Sequence, residues 1–148
     1  MCGISGVYTT DAPALYEGHV SRVVDDQHAR GPDFHKVTTI EGPPAGAVLG
    51  HNRLSIIDLS PAGNQPLWDG DQRLCVVFNG EIYNYVELRA ELQGLGHRFV
   101  STSDTEVILE SFKRWGTDAI CRFNGMFAFA LYDACDGSLY LVRDRFGV

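Results

Sequence analysis

Apolar positions recur along this chain with two periods, and the change from one to the other marks out the elements. Ile4 to Tyr8 reads as a short first strand. Tyr16, Val20, Val23 and Val24 then fall at helical spacing, so an amphipathic helix is expected from Pro13 to about Ala29. Arg30-Gly31-Pro32-Asp33 must be a loop, because Gly and Pro end that helix. Val37 to Ile40 and Ala47 to Gly50 are strands about a turn at 41–46, and Leu54 to Ile57 is one more short apolar piece. The Pro-, Gly- and Asn-rich stretch 60–71 reads as a long loop.

Leu74 to Phe78 is apolar without alternation, which predicts a strand covered on both faces and ending at Asn79. Asn84 with Glu87 three residues on forms a capping-box pattern, opening a helix with Tyr85, Leu88, Leu92 and Leu95 on its inner side and Gly94 or Gly96 at its end. Ser103 with Glu106 repeats the pattern for a third helix, which points Ile108, Phe112 and Trp115 inward and stops at Gly116. Met126 to Tyr132 is a second unbroken apolar strand, turned through Asp136-Gly137 into Leu139 to Val142.

Antiparallel sheets usually leave one face to water and alternate accordingly. These central strands do not, so both faces must be covered. Two antiparallel sheets packed on each other, with helices on the outer faces, meet that requirement most simply. The expected class is therefore α+β. No internal repeat or low-complexity segment is visible.

The 148 residues suffice for one domain with a real core. A formal charge of −7 without a basic stripe argues against nucleic-acid and anionic-membrane partners. No apolar run approaches the roughly 20 residues of a membrane helix, and Thr9, Thr10 and Asp11 break any signal-like start. A cytoplasmic setting is the default. The four cysteines (Cys2, Cys75, Cys121 and Cys135) form no C-x-x-C pair, so neither zinc nor disulfides are expected. Cys75 sits in the apolar run, Cys121 near a helix end and Cys135 in a turn, where thiols are structural.

Cys2 differs, because loss of Met1 would make it the first residue. Thiol and α-amine would then share one residue, with reference pKa values of about 8.5 and about 8. The amine can take the thiol proton and later pass it to a leaving group, with no His or Asp partner. A disordered tail is the plain alternative.

MCGISGVY is followed in order by RGPD (30–33), HNRLSIIDLS (51–60), NGEIYNYVELR (79–89) and SDTEVIL (103–109), with MFAFALYD and a terminal RDRFGV. This series closely resembles the class II, N-terminal nucleophile glutamine amidotransferases, and most of all their asparagine synthetase branch. The resemblance covers essentially the whole chain. It implies the four-layer αββα sandwich of the N-terminal nucleophile hydrolase fold, with residues 1–148 as an incomplete amidotransferase domain whose C-terminal strands are missing.

By position, the resemblance makes Cys2 the nucleophile on the side-chain amide of L-glutamine, with the Asn79 side chain and the Gly80 N–H as oxyanion hole. Arg53 would grip the α-carboxylate, and Glu81 and Asp104 the α-ammonium. Taken singly, Asn79-Gly80 is an ordinary turn signal, Asp104 suits a helix start, and Arg53 and Glu81 could be solvated charges.

The family commonly has His where this chain has Ala29. No Ser-Gly-Gly loop or Mg²⁺-binding carboxylate cluster appears, so ATP and Mg²⁺ are expected only in a missing synthetase domain, with no cofactor or metal here. That domain is the implied partner, receiving ammonia for activated aspartate, and a homodimer of the full-length protein is compatible. The exposed edge of the last hairpin predicts weak stability for the piece alone. Two alternatives stay open: an inactive glutamine-binding fragment, and the glutaminase of another class II amidotransferase.

Overall fold

Along each central strand, successive side chains point to opposite faces, and the layers follow from that. The computed structural model describes residues 2–147. Met1, whose removal would free the Cys2 amine, lies outside them, as does Val148 at the end of the RDRFGV block. In chain order the elements are β1 (Gly3–Thr9), α1 (Glu17–Asp26), β2 (Phe34–Ile40), β3 (Gly46–Arg53), β4 (Leu67–Trp68), β5 (Leu74–Ile82), α2 (Tyr85–Gly94), α3 (Asp104–Trp115), β6 (Gly125–Asp133) and β7 (Ser138–Arg143). One sheet has the order β1-β3-β2 and the other β4-β5-β6-β7, with every pairing between these strands antiparallel.

On β5, Leu74, Val76, Phe78 and Ile82 join α2 and α3 in one apolar cluster. Cys75 and Val77, on the opposite face, pack with Ala47 and Leu49 of β3 and with Ala130 and Tyr132 of β6. Val48 faces the other way on β3 and meets Val20 and Val24 of α1. Helix, sheet, sheet and helices are thus glued by three apolar interfaces, which is the expected α+β, four-layer αββα sandwich. Burying apolar surface at about 25 cal/mol per Å² makes these interfaces the main source of stability.

Several local expectations need correction. The helix expected over 13–29 is α1 with a 3-10 turn on each side, at Pro13–Tyr16 and His28–Arg30. β2 and β3 extend beyond the expected strands, because their register runs unbroken from Phe34↔Arg53 to Ile40↔Ala47. Leu54 to Ile57 is loop, with Ile56 largely exposed. The long loop contains the two-residue β4, which pairs with β5.

β5 does not end at Asn79. Its ladder to β6 continues through Gly80↔Phe127 to Ile82↔Gly125. Asn84 makes no capping bond to α2; its side chain is spent on the carbonyl of Arg122 at 2.9 Å and the N–H of Asn124 at 2.9 Å. Leu95 is exposed, not inward. Ser103 does cap α3, accepting from the Glu106 N–H. The Glu106 carboxylate completes no box; it holds the N–H groups of Val100 and Ser101 at 2.8 and 2.7 Å.

Candidate active site

The first residues of β1 lie against the last residues of β3, with Gly3 opposite Asn52. Ile4 packs into the space between the sheets, and alternation points the Cys2 side chain to the same side. The thiol is held at the turn after β3. The Leu54 N–H donates to Cys2 Sγ at 3.4 Å, and Sγ lies 3.7 Å from the Leu54 carbonyl oxygen. Arg30 Nε donates to the Cys2 carbonyl at 3.1 Å. Asp33 steadies the same turn, accepting from the Ser55 N–H at 2.7 Å and donating its own N–H to the Arg53 carbonyl at 3.1 Å. The RGPD block therefore grips the Cys2 backbone and the turn that holds its sulfur.

Cys2, Arg53, Asn79, Gly80, Glu81 and Asp104 all line one cavity of about 170 Å³. Asn79 continues the alternation of Cys75 and Val77, so its side chain faces the space between the sheets. The Asn79 Oδ1 is buried with no partner among the described residues. Gly80 has φ +148°, and a Cβ there would collide with the carbonyl oxygen of Met126 and stand 2.6 Å from Phe127 Cα. Only glycine lets the ladder pass this point.

Arg53 is no solvated charge: it is 7% exposed. Its Nη1 donates to the Ser60 carbonyl at 2.8 Å and to Asn64 Oδ1 at 2.6 Å, and its Nη2 donates to the Asp58 carbonyl. Three of five N–H donors are thus used by the loop, fixing the plane of the guanidinium while it still lines the cavity.

Asp104 is the first residue of α3 and is buried. Its Oδ2 accepts from the Ile82 N–H at 3.0 Å, tying the helix start to the end of β5. Burial is the main reason its carboxyl is pushed up to about 6; backbone N–H groups of Ile82, Asp104 and Thr105 oppose that, and the negative Glu81 adds to it. Glu81 itself is exposed, next to the last residue of β5.

Three supporting residues were given no role from the sequence, although His51 and Asp58 lie in the HNRLSIIDLS block and His51 forms with Arg53 the His-x-Arg pair that the family often has. Asp58 accepts from Ser60 N–H and Thr102 N–H, each at 2.8 Å, fastening the loop to the approach to α3. Hydrogen bonding, led by the Ser60 side chain and joined by the Thr102 and Ser60 N–H groups, holds its carboxyl down at about 2 against the effect of burial. Gln65 takes the Phe78 N–H at 2.6 Å and donates to Thr105 Oγ1 at 3.2 Å, joining loop, β5 and α3. His51 Nε2 lies 3.2 Å from the Phe78 carbonyl oxygen, so that nitrogen must be the donor. Burial pushes the imidazole down to about 4, with the Phe78 bond opposing and Arg53 assisting, which keeps it neutral. The remaining cysteines lie elsewhere: Cys75 is buried, with burial pushing its thiol up to about 12, and Cys121 and Cys135 are exposed.

Among the described residues no helix is long and apolar enough to cross a membrane, and no group of three or more His, Cys, Asp or Glu is placed to hold a metal ion.

The chain is similar to several known proteins. Glutamine-hydrolysing asparagine synthetases 3 and 1 of Bacillus subtilis strain 168 are each 38% identical to the chain, over 152 and 159 residues. An amidase, chry2, of Gibberella zeae is also 38% identical, over 159 residues. All three matches take in 100% of this chain but only 23–24% of the relative, so the chain spans about a quarter of their length. A glutamine phosphoribosylpyrophosphate amidotransferase from B. subtilis, solved with ADP and GMP, has the same fold: the TM-score is 0.69 over 97% of this chain and 38% of that one, at 20% identity. The model of the glutamine amidotransferase domain matches residues 1–148, and with that match over its full length the chain belongs to the glutamine amidotransferase family.

Proposed function

We propose that this domain carries out the glutaminase half-reaction: glutamine and water give glutamate and ammonia through a γ-glutamyl thioester on Cys2. The observation that carries this reading is the convergence of the thiol, one buried arginine and the carboxylates of Glu81 and Asp104 on a single cavity, which Asp58 lines as well. Glutamine presents a carboxylate, an ammonium and a side-chain amide, and each finds a complement. The planar Arg53 takes the carboxylate in a two-pronged contact. Glu81 and the ionised Asp104 take the ammonium, which leaves the side-chain amide to reach Cys2.

After removal of Met1, the Cys2 amine accepts the thiol proton and Sγ bonds to the amide carbon. The electron pair of the C=O bond moves onto oxygen, where the Asn79 carboxamide and the Gly80 N–H meet it. Collapse breaks the C–N bond, and the ammonium of Cys2 returns the proton to the departing ammonia. Water, deprotonated by the same amine, then attacks the thioester carbon, releasing glutamate and the thiol. These steps use only residues of the chain.

In the longer protein the ammonia passes to a synthetase domain acting on aspartate, and ATP and Mg²⁺ belong to that domain. A cytoplasmic, reducing setting keeps the Cys2 thiol free, and a homodimer of the full-length protein fits this reading.

The test is ammonia release from glutamine, together with intact mass before and after a glutamine-like diazoketone. The expected result is a starting mass without Met1, one adduct mapped to Cys2, and at least a ~10³-fold loss of turnover in Cys2→Ala. Turnover that survives Cys2→Ala, or an adduct on another cysteine, would sink the assignment.

A further inference from the structure

Two of the three polar groups of Cys2 are held by the fold: the thiol at Leu54 and the carbonyl by Arg30. The third is its nitrogen. On the α1 side of the first sheet, around Gly3, the next residue of the chain, the side chains of Gln27 and Asn52 each carry a buried carbonyl oxygen, Oε1 and Oδ1, without a partner among the described residues.

Both oxygens belong to side chains that crowd the start of β1. Asn52 is the register partner of Gly3. A Cβ built on Gly3 would lie 2.6 Å from Gln27 Oε1 and 3.4 Å from Asn52 Cβ. The Asn52 amide is already oriented, because its Nδ2 donates to the Val24 carbonyl at 2.9 Å. Gln27 follows the last residue of α1, three positions before the Arg30 that holds the Cys2 carbonyl. Buried acceptors are almost always paired in folded proteins, so two orphans on side chains that flank Gly3, the residue after Cys2, call for a donor. A peptide nitrogen on Cys2 offers one N–H, whereas the free terminal ammonium offers three.

We propose that Gln27 Oε1 and Asn52 Oδ1 accept hydrogen bonds from the α-amino group of Cys2 once Met1 is removed, which makes Gln27 and Asn52 positioning residues for the base. This inference rests on the glutaminase reading. Two N–H bonds anchored on two oxygens leave the lone pair of the neutral amine one remaining direction, which is set by the fold and not by rotation about the Cα–N bond. The oxygens also favour the charged amine.

The experiment uses protein whose mass lacks Met1 and measures kcat and KM for glutamine across pH. Three chains are compared: wild type, Gln27→Met, which removes the acceptor at similar volume, and Gln27→Glu, which keeps one. For Gln27→Met, kcat should fall about tenfold, as for loss of one orienting hydrogen bond, with KM within about twofold. The acid limb of its profile should move to lower pH. Gln27→Glu should recover kcat at high pH and move the acid limb to higher pH, because a carboxylate favours the ammonium more strongly. A purely structural role would lower kcat and thermal stability together without moving the limb, and that outcome overturns the proposal. So does a wild-type kcat and profile in Gln27→Met. A wild-type chain that releases no ammonia defeats the glutaminase reading and this inference with it; a working wild type with indifferent Gln27 variants defeats only the inference.

Discussion

Asp104 places a carboxyl where folding alone would not want its charge, and Asp104→Asn should therefore stabilise the free protein while weakening the glutamine site proposed above. Burial raises the carboxyl from the ordinary 3.8 to about 6. At 1.36 kcal/mol per decade, holding the anion at neutral pH costs about 3 kcal/mol relative to the acid. Asn removes the charge and can still accept from the Ile82 N–H. It supplies fewer acceptors to the first turn of α3, a loss of about 1 kcal/mol, so a net gain of about 1–2 kcal/mol is expected.

The sign follows from linkage. Above about pH 6 the native state carries the buried anion and the full penalty applies. Below 3.8 both states are protonated and the penalty is gone, so the advantage of Asn shrinks as pH falls between those values. Urea unfolding of wild type and variant at pH 7.5 and pH 4 would measure it. Glutamine should raise the midpoint of wild type and not of the variant. A variant less stable than wild type at pH 7.5, or one equally stabilised at both pH values, would refute the reasoning.

Other expectations follow from the same geometry. Arg53→Lys loses the two-pronged donor and should raise KM for glutamine by about 10-fold or more with a smaller change in kcat, read by steady-state ammonia release. It should also unfold at lower temperature, since one ammonium cannot span Ser60, Asn64 and Asp58. Gly80→Ala puts a Cβ against Met126 and Phe127 at a positive φ, and should cost at least about 2 kcal/mol in urea unfolding as well as most of the activity. Asp58→Asn keeps one acceptor but not two anionic ones, so a loss of about 1–2 kcal/mol is expected at pH 7. Because the folded-state value is depressed to about 2, that difference should be full above about pH 4 and fade as pH falls towards 2, which unfolding across that range would show.

Most of the layer arrangement was legible because β5 and β6 lack alternation, and a strand without alternation demands cover on both sides. The helices on the two outer faces were legible from spacing. What could not be read were the exceptions to local rules. Asn84 has the composition of a cap, yet Arg122 and Asn124, far away in sequence, offer its amide better partners. Asn79-Gly80 has the composition of a turn, yet the ladder to β6 carries the strand straight through it. At the site, Cys2, Arg53, Asn79, Gly80, Glu81 and Asp104 were named from an ordered set of blocks, and the fold brings them to one cavity. Asp58 and Gln65 were missed because their work is to tie segments about 40 residues apart, and no local pattern encodes such a contact.

The way Arg53 is held makes it a shared resource. Its guanidinium satisfies carbonyl groups of the 58–64 loop and, in the proposed reaction, also the substrate's carboxylate. A ligand that draws on the same cation must favour some loop conformations over others, and by reciprocity those conformations set the ligand's affinity. Loop order and site occupancy are then two readings of one equilibrium. Sequence changes at positions such as Ser60 or Pro61, which need never touch glutamine, become a means of tuning how tightly it is held.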